Sequence, residues 1–90
     1  MQQPTIGDKF QFEENTTEYV ITEVVKYHED GKFSNKLYQD GYQIKYINPN
    51  TLSLEMKCGI KYDEELDSFI NYYAVRKGVS KRLVIFTHKS

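Results

Sequence analysis

Few residues in this 90-residue chain have the chemistry of a catalytic centre. The only cysteine is Cys58, and the only histidines are His28 and His88. A thiolate beside an imidazole would form a nucleophilic pair, because such partners meet in space rather than in sequence. Cys58, however, alternates with Met56 on the apolar side of a period-two segment, which favours a buried and inert thiol. We therefore expect no enzymatic activity and no catalytic residues.

Motifs for metals and cofactors are absent from the sequence as well. One cysteine and two distant histidines do not have the spacing of a zinc site. The acidic stretch DEELD, residues 63–67, lacks the glycine and the alternating oxygen ligands of a calcium loop. The five glycines are scattered and form neither GxGxxG nor GxxxxGK. We expect neither a metal ion nor a cofactor.

Length and composition indicate a single folded domain over residues 1–90, because a chain of this size can bury one modest core. The 39% hydrophobic content, with eight tyrosines and five phenylalanines, is too high for a disordered segment. No apolar run approaches the ~18 residues of a membrane span. The start MQQPTIGDKF does not resemble a signal peptide, and one cysteine cannot form an internal disulfide. We expect a soluble, cytoplasmic protein, and the abundance of Lys, Asn, Tyr and Ile favours an AT-rich bacterial or phage genome.

The net charge of −1 conceals an uneven distribution of charge along the chain. Residues 1–30 contain seven acids and two lysines, whereas residues 68–90 contain five basic residues and no acid. Such blocks would create oppositely charged faces if folding kept them apart, and would cancel if folding interleaved them.

Lysines and tyrosines interleave in GYQIKYI, residues 41–47, a combination that single-strand nucleic-acid binders use. In a strand, however, Tyr42 and Tyr46 share one face and Lys45 projects from the other. The pI of about 6.1 is also far from the basic balance that phosphate binding requires. Nucleic-acid binding is therefore the alternative function, with Lys45, Lys61, Arg76, Lys77, Lys81 and Arg82 as its footprint.

The surplus of tyrosine favours protein binding. Eight tyrosines exceed what so small a core can bury with every hydroxyl satisfied, and tyrosine is enriched at interfaces. These rings would carry no function if they only straddled the core boundary with the hydroxyl outward. We expect a protein-binding module or a small inhibitor or modulator of another protein, encoded by a phage or mobile element. The candidate contacts are Tyr38, Tyr42, Tyr72, Tyr73, Glu13, Glu14, Glu29 and Asp30.

Period-two alternation of apolar residues predicts most of the elements that must position these groups. The segments KFQFE, EYVITEVVKY, YQIKYI and TLSLEMKC are predicted strands, with KFSNKLY as a weaker one. In the third, Tyr42, Ile44 and Tyr46 face the core. In the fourth, the apolar face would hold Leu52, Leu54, Met56 and Cys58. In the second, Ile21, Val25 and Tyr27 would share a side. Turns are predicted at Asp30-Gly31, Asp40-Gly41, Pro49-Asn50 and Cys58-Gly59.

The pattern changes after Tyr62. Leu66, Phe69, Ile70 and Tyr73 have the spacing of a helix face, so a short helix is predicted near residues 63–75 with Asp63 as its N-cap. FINYYAV also alternates acceptably as a strand, which keeps that alternative open. The apolar run LVIF, residues 83–86, predicts a last strand that is covered on both faces.

Together these elements predict a mainly β (α+β) fold, a small antiparallel sheet or SH3-like barrel of five to six strands with one short helix. The order of IGDKFQF, EYVITEVV, a long polar loop and a hairpin resembles SH3-like barrels in architecture over residues 6–58. The simplest topology is a meander, and free strand edges would allow a homodimer.

Overall fold

The computed structural model describes residues 3–13, 15–26, 41–51, 54–72, 74, 77–78 and 83–87. These residues form six antiparallel strands: β1 (Lys9–Phe12), β2 (Tyr19–Lys26), β3 (Tyr42–Ile47), β4 (Met56–Asp63), β5 (Ser68–Asn71) and β6 (Leu83–Thr87). Each strand pairs with the next, and β6 pairs with β1, so the strands close into a barrel. The predicted small, mainly β barrel is confirmed.

Closure of the barrel gives each of these strands a neighbour on both sides. This closure leaves fewer strand edges through which two copies of the chain could pair. The homodimer stays a prediction.

Aromatic side chains fill the interior of the barrel. Phe10 is 1% exposed, and the ring centroids of Phe12, Tyr19, Tyr46 and Phe86 lie 5.1 to 5.6 Å from its own. The Phe10 and Tyr46 rings meet at 77°, the edge-to-face geometry that places a positive ring edge against a negative ring face. Such pairs each contribute about 0.5–1.5 kcal/mol beyond the burial of their area.

Strand β3 follows its predicted alternation. Tyr42, Ile44 and Tyr46 are buried, and the residues between them are half-buried on the outer face. The prediction that these tyrosines belong to the core is confirmed.

Strand β2 departs from strict alternation because of a bulge. The register to β3 shifts between Ile21 and Glu23. Ile21 is buried, but beyond the bulge Val24 packs against the core while Val25 is 49% exposed. The prediction that Ile21 and Val25 share a face is therefore wrong, since one extra residue reverses which side chains point inward.

Strand β4 begins later than the alternation of TLSLEMKC predicts. Leu54 precedes the strand and is 89% exposed, whereas Cys58 and Ile60 are buried inside it. Gly59 does not form a turn, because it pairs with Gln43 in the middle of the β3–β4 ladder. The predicted buried position of Leu54 and the predicted Cys58-Gly59 turn are both wrong, and Leu52 lies outside the described residues.

The predicted helix near residues 63–75 is wrong over residues 63–71. Asp63 ends β4, residues 64–67 form a turn, and Ser68–Asn71 form β5. Phe69 faces the core and Leu66 is 43% exposed, so the two do not share a helix face. The alternative reading of this segment as a strand is correct, because β5 supplies the pairing that closes the barrel. Of the described residues, only Tyr72 and Ala74 have a helical backbone.

Strand β6 is covered on one face only. Val84 is fully buried, whereas its neighbour Ile85 is 42% exposed on the outside of the barrel. The prediction of a strand covered on both faces is wrong at Ile85. The predicted segment KFSNKLY and the Asp30-Gly31 turn lie outside the described residues.

Candidate protein-binding surface

Leu54 is the most exposed large apolar side chain among the described residues. It lies in the connection between β3 and β4, which starts as a tight turn. The Asn50 amide donates to the Asn48 Oδ1 at 3.0 Å, and the Thr51 amide donates to the Asn48 carbonyl at 3.2 Å. Pro49 presets the backbone for this turn, as the sequence predicts.

The other end of this connection is attached to the barrel by Glu55. Its carboxylate accepts a hydrogen bond from the hydroxyl of Thr22, the residue at the β2 bulge. The same carboxylate lies 4.0 Å from the Lys45 ammonium. Leu54 is therefore presented next to a residue with two contacts to the barrel, which limits how freely the apolar side chain can move.

Lys45 lies between two carboxylates on the outer face of β2 and β3. Its ammonium is 3.1 Å from Glu23, its cross-strand neighbour, and 4.0 Å from Glu55. The hydrogen bond to Glu23 and the charges of both acids raise the pKa of Lys45. A glutamate from the acid-rich start of the sequence thus meets a lysine of β3 at this point, and their charges partly cancel.

A second exposed apolar side chain, Ile6, lies before β1, next to residues whose backbone is hydrogen-bonded to β2. It belongs to a turn in which the Asp8 amide donates to the Thr5 carbonyl at 3.1 Å and the Thr5 amide donates to the buried Asp8 carboxylate at 2.9 Å. Gly7, at φ 93°, supplies the left-handed backbone of the turn. The Gly7 amide then donates to the Ile21 carbonyl at 2.9 Å.

The residues that follow Ile6 and Leu54 contact two consecutive residues of β2, since Gly7 is hydrogen-bonded to Ile21 and Glu55 to Thr22. Ile6 is 69% exposed and Leu54 is 89% exposed. We define the bulge surface as this region of the barrel, which comprises Ile6, Thr22, Glu23, Lys45, Leu54 and Glu55. It combines two protruding aliphatic side chains with two carboxylates and one ammonium.

Two of the predicted tyrosine contacts are buried. Tyr42, in the core of the barrel, is 4% exposed and Tyr72 is 7% exposed, so neither offers much area to a partner. Their burial corrects the expectation that the tyrosine surplus reaches the surface at these positions. Glu13 is exposed after β1. The remaining predicted contacts lie outside the described residues: Tyr38, Tyr73, Glu14, Glu29 and Asp30.

Half of the residues of the predicted nucleic-acid footprint lie in the part of the chain that the structure describes. Lys45 is engaged with two carboxylates, Lys61 lies on the outer face of β4, and Lys77 is exposed. Arg76, Lys81 and Arg82 lie outside the described residues. The ladder places Lys57 directly opposite Lys45 on the outer face, and this lysine was not among the predicted contacts.

Cys58 has the surroundings of a structural thiol. It is 4% exposed between Ile44 and the core rings, and burial raises the pKa of its thiol to about 12. Burial also raises the pKa of the hydrogen-bonded Tyr46 phenol. A thiol that keeps its proton is a poor nucleophile. The prediction of a buried thiol is confirmed.

The described residues contain no group of three or more His, Cys, Asp or Glu side chains that could hold a metal ion. Within the same residues, no helix is long and apolar enough to cross a bilayer.

The sequence pattern indicates neither apolar member of the bulge surface. Alternation with Met56 predicts a core position for Leu54, and nothing in that pattern indicates where the strand begins. Ile6 precedes the turn at Gly7, and a lone apolar residue before a turn carries no directional signal.

The fold and this surface define a small closed antiparallel β-barrel with an exposed apolar and charged region at a bulge. No protein-family model matches the chain, and neither the curated proteins nor the solved structures include a match.

Proposed function

We propose that this protein is a non-enzymatic binding module that recognises another protein through the bulge surface. The observation that carries the proposal is Leu54, which is 89% exposed beside a glutamate attached to the barrel. An aliphatic side chain of this exposure costs free energy in water, at about 25 cal/mol for each Å² of apolar area. A partner with a complementary pocket recovers that free energy, and the contacts of Glu55 reduce the entropy lost when the loop is immobilised.

The composition of the bulge surface supports an interface. Interfaces combine an apolar centre with a polar rim. Here Ile6 and Leu54 supply exposed apolar area, and Glu23, Lys45 and Glu55 supply charged side chains that are 39% to 48% exposed. The finer proposals, an inhibitor or modulator, a phage or mobile-element origin, a cytoplasmic location and an SH3-like relationship, rest on the sequence pattern alone.

Comparative affinity capture tests the proposal. The tagged protein, the variant Leu54→Thr and the matched control Ile85→Thr would be exposed to an extract of the cells that encode the chain. The control also replaces an exposed aliphatic residue, but on the outer face of β6. We expect a protein that is captured by the wild type and by Ile85→Thr and is lost with Leu54→Thr. Equal capture by all three proteins would contradict the assignment of the bulge surface.

Nucleic-acid binding is the alternative function. It is favoured by Lys45 and Lys57, which are cross-strand neighbours, and by Lys61, which follows on the same outer face of β4. Glu23 and Glu55 offset the charge of Lys45, which weakens this footprint. A titration with single- and double-stranded oligonucleotides at two salt concentrations tests it, because binding to phosphates weakens steeply as salt rises. No binding at low salt would exclude this alternative for the footprint.

A further inference from the structure

The second half of β2 has a strand neighbour on one side only among the described residues. The β2–β3 ladder extends to Lys26, whereas the β1–β2 ladder reaches only Val20. Backbone hydrogen bonds from the turn before β1 continue this contact as far as Ile21. Within the part of the chain that the structure describes, no strand therefore lies along the other edge of residues 23–26.

The bulge determines which backbone groups point to this open edge. The β3 partners of Ile21, Val24 and Lys26 are two positions apart from one another along β3, so these three residues share one backbone orientation. Ile21 bonds toward β1, and Val24 and Lys26 consequently point away from β3. The backbone of Val25 points toward β3. The open edge thus presents two amides and two carbonyls that have no backbone partner among the described residues.

The side chain at the centre of this edge is apolar and exposed. Val24 packs against the core, so the next residue, Val25, lies on the outer face of the barrel, where it is 49% exposed. A row of backbone donors and acceptors is matched by another extended backbone, which adds a strand to the sheet. A valine at the centre favours an apolar, β-branched side chain opposite it.

We propose that the open edge of β2 pairs with the same edge of a second copy of this chain, antiparallel, with Val25 opposite the partner's Val25. In this register Val24 lies opposite the partner's Lys26, and Lys26 lies opposite the partner's Val24. Each of these two pairs exchanges two hydrogen bonds, so all the free amides and carbonyls of both edges are satisfied together. The two Val25 residues meet at the two-fold axis with Cα atoms about 4.5 Å apart.

A second copy fits this edge because the edge is complementary to itself. Two residues with outward backbone groups, separated by one residue, match the same arrangement when the chain direction is reversed. A register centred on Val24 would instead place Lys26 opposite Thr22 at the bulge, beside the turn that precedes β1. Two-fold contacts of this kind are the commonest in homo-oligomers.

The proposed contact is short and has one charged residue, Lys26, at its end. Lysine on a strand edge weakens edge-to-edge pairing. We therefore expect a weak dimer, with a dissociation constant on the order of 0.1–1 mM. The inference goes beyond the proposed function, because it assigns a second surface of β2 to contact between copies of the chain.

An NMR concentration series tests the open edge. As the protein concentration rises from about 0.02 to 2 mM, we expect slower translational diffusion and slower solvent exchange at the amides of Val24 and Lys26. The amide of Val25, which points toward β3, should exchange slowly at every concentration. A mixture of ¹³C-labelled and unlabelled chains should show a contact between the Hα protons of the two Val25 residues.

Three variants locate the contact on β2. Val25→Lys places two like charges at the two-fold axis and should weaken the dimer about tenfold or more. Ile85→Lys is the matched control, because it also replaces an exposed aliphatic residue, on the outer face of β6, and should leave the dissociation constant unchanged. Lys26→Thr removes the edge charge and should strengthen the dimer. Urea denaturation confirms that each variant is folded.

The proposal is overturned if the protein stays monomeric at the highest concentration, or if Val25→Lys and Ile85→Lys have equal effects. It is also overturned if the amides of Val24 and Lys26 are already protected in the dilute monomer, because the chain itself would then cover the edge. Leu54→Thr should leave the dissociation constant of the dimer unchanged. Failure of this pairing is thus distinguishable from failure of the proposed function.

Discussion

The hydroxyl of Thr22 donates a hydrogen bond to the carboxylate of Glu55, which lies 33 positions further along the chain. This contact joins the β2 bulge to the end of the β3–β4 connection, and so it sets the position of Leu54. The bulge is a local irregularity of one strand, and through Glu55 it contacts the residue that follows the exposed Leu54.

Removal of the Thr22 hydroxyl should therefore release the connection with little loss of fold stability. For Thr22→Val we expect the free energy of unfolding to fall by no more than about 1 kcal/mol, because the bond is exposed. Amide hydrogen exchange at residues 54–55 should become faster. Urea denaturation and exchange measurements check this, with Thr17→Val as the control. Unchanged exchange at residues 54–55 would contradict the role of the bond.

Two buried or half-buried tyrosines should respond in opposite ways to loss of their hydroxyl. The Tyr42 hydroxyl is buried and has no hydrogen-bond partner among the described residues, whereas the Tyr62 hydroxyl donates to Asp67. Because an unpaired buried polar group is destabilising, Tyr42→Phe should stabilise the protein by about 1 kcal/mol. Tyr62→Phe should destabilise it by a similar amount. Urea denaturation of both variants checks this pair, and a stability loss with Tyr42→Phe would indicate that its hydroxyl is satisfied.

Asp67 allows the tight β4–β5 turn because it tolerates a left-handed backbone, with φ 50°. Asp67→Asn should be close to neutral, since asparagine tolerates the same conformation and can accept the bond from Tyr62. Asp67→Ala should lower the free energy of unfolding by about 1–3 kcal/mol, through backbone strain and the lost bond. Thermal and urea denaturation of the two variants test the difference. Equal stability would mean that neither the strain nor the bond is significant.

The Cys58 thiol should be inert in the folded protein and reactive after unfolding. Burial raises its pKa to about 12 from an ordinary value of 9.0, so the folded state holds the proton more tightly than the unfolded state. The resulting stability is fully present below pH 9 and is lost as the pH rises toward 12. Tyr46, whose pKa is also raised by burial, acts in the same direction.

A thiol reagent such as Ellman's reagent should therefore react slowly with the native protein at mildly alkaline pH and rapidly in urea. Cys58→Val should flatten the alkaline decline of stability, although the Tyr46 contribution remains. Fast reaction of the native thiol would show that Cys58 is accessible and would contradict the described burial.

The alternation of apolar residues was sufficient to predict the barrel and most of its strands. It placed Tyr42, Ile44 and Tyr46 on the inner face of β3, where the structure has them. It failed where the period of two is interrupted. At the β2 bulge, an extra residue turns the Val25 side chain to the outside of the barrel. No residue type in TEVV, residues 22–25, indicates a bulge.

The same alternation does not determine where a strand begins or whether a segment forms a helix or a strand. Leu54 continues the alternation of β4 but lies before the strand begins, because Glu55 is held by Thr22 and Lys45 rather than by the ladder. The spacing of Leu66, Phe69 and Ile70 fits a helix, yet barrel closure requires a strand there. This requirement comes from tertiary structure, so the local sequence pattern does not show it. The sequence does not indicate the candidate surface for the same reason, since Thr22, Lys45 and Glu55 meet only when β3 is in register with both β2 and β4.

Site-specific photo-crosslinking tests the central claim, recognition of another protein at the bulge surface, most directly. A photoreactive amino acid would replace Leu54 in one version of the protein and Ile85 in another, each expressed in the cells that encode the chain. We expect a discrete crosslinked protein from position 54 that is absent from position 85 and is reduced by Thr22→Val. No crosslink from position 54, or the same products from both positions, would contradict the claim.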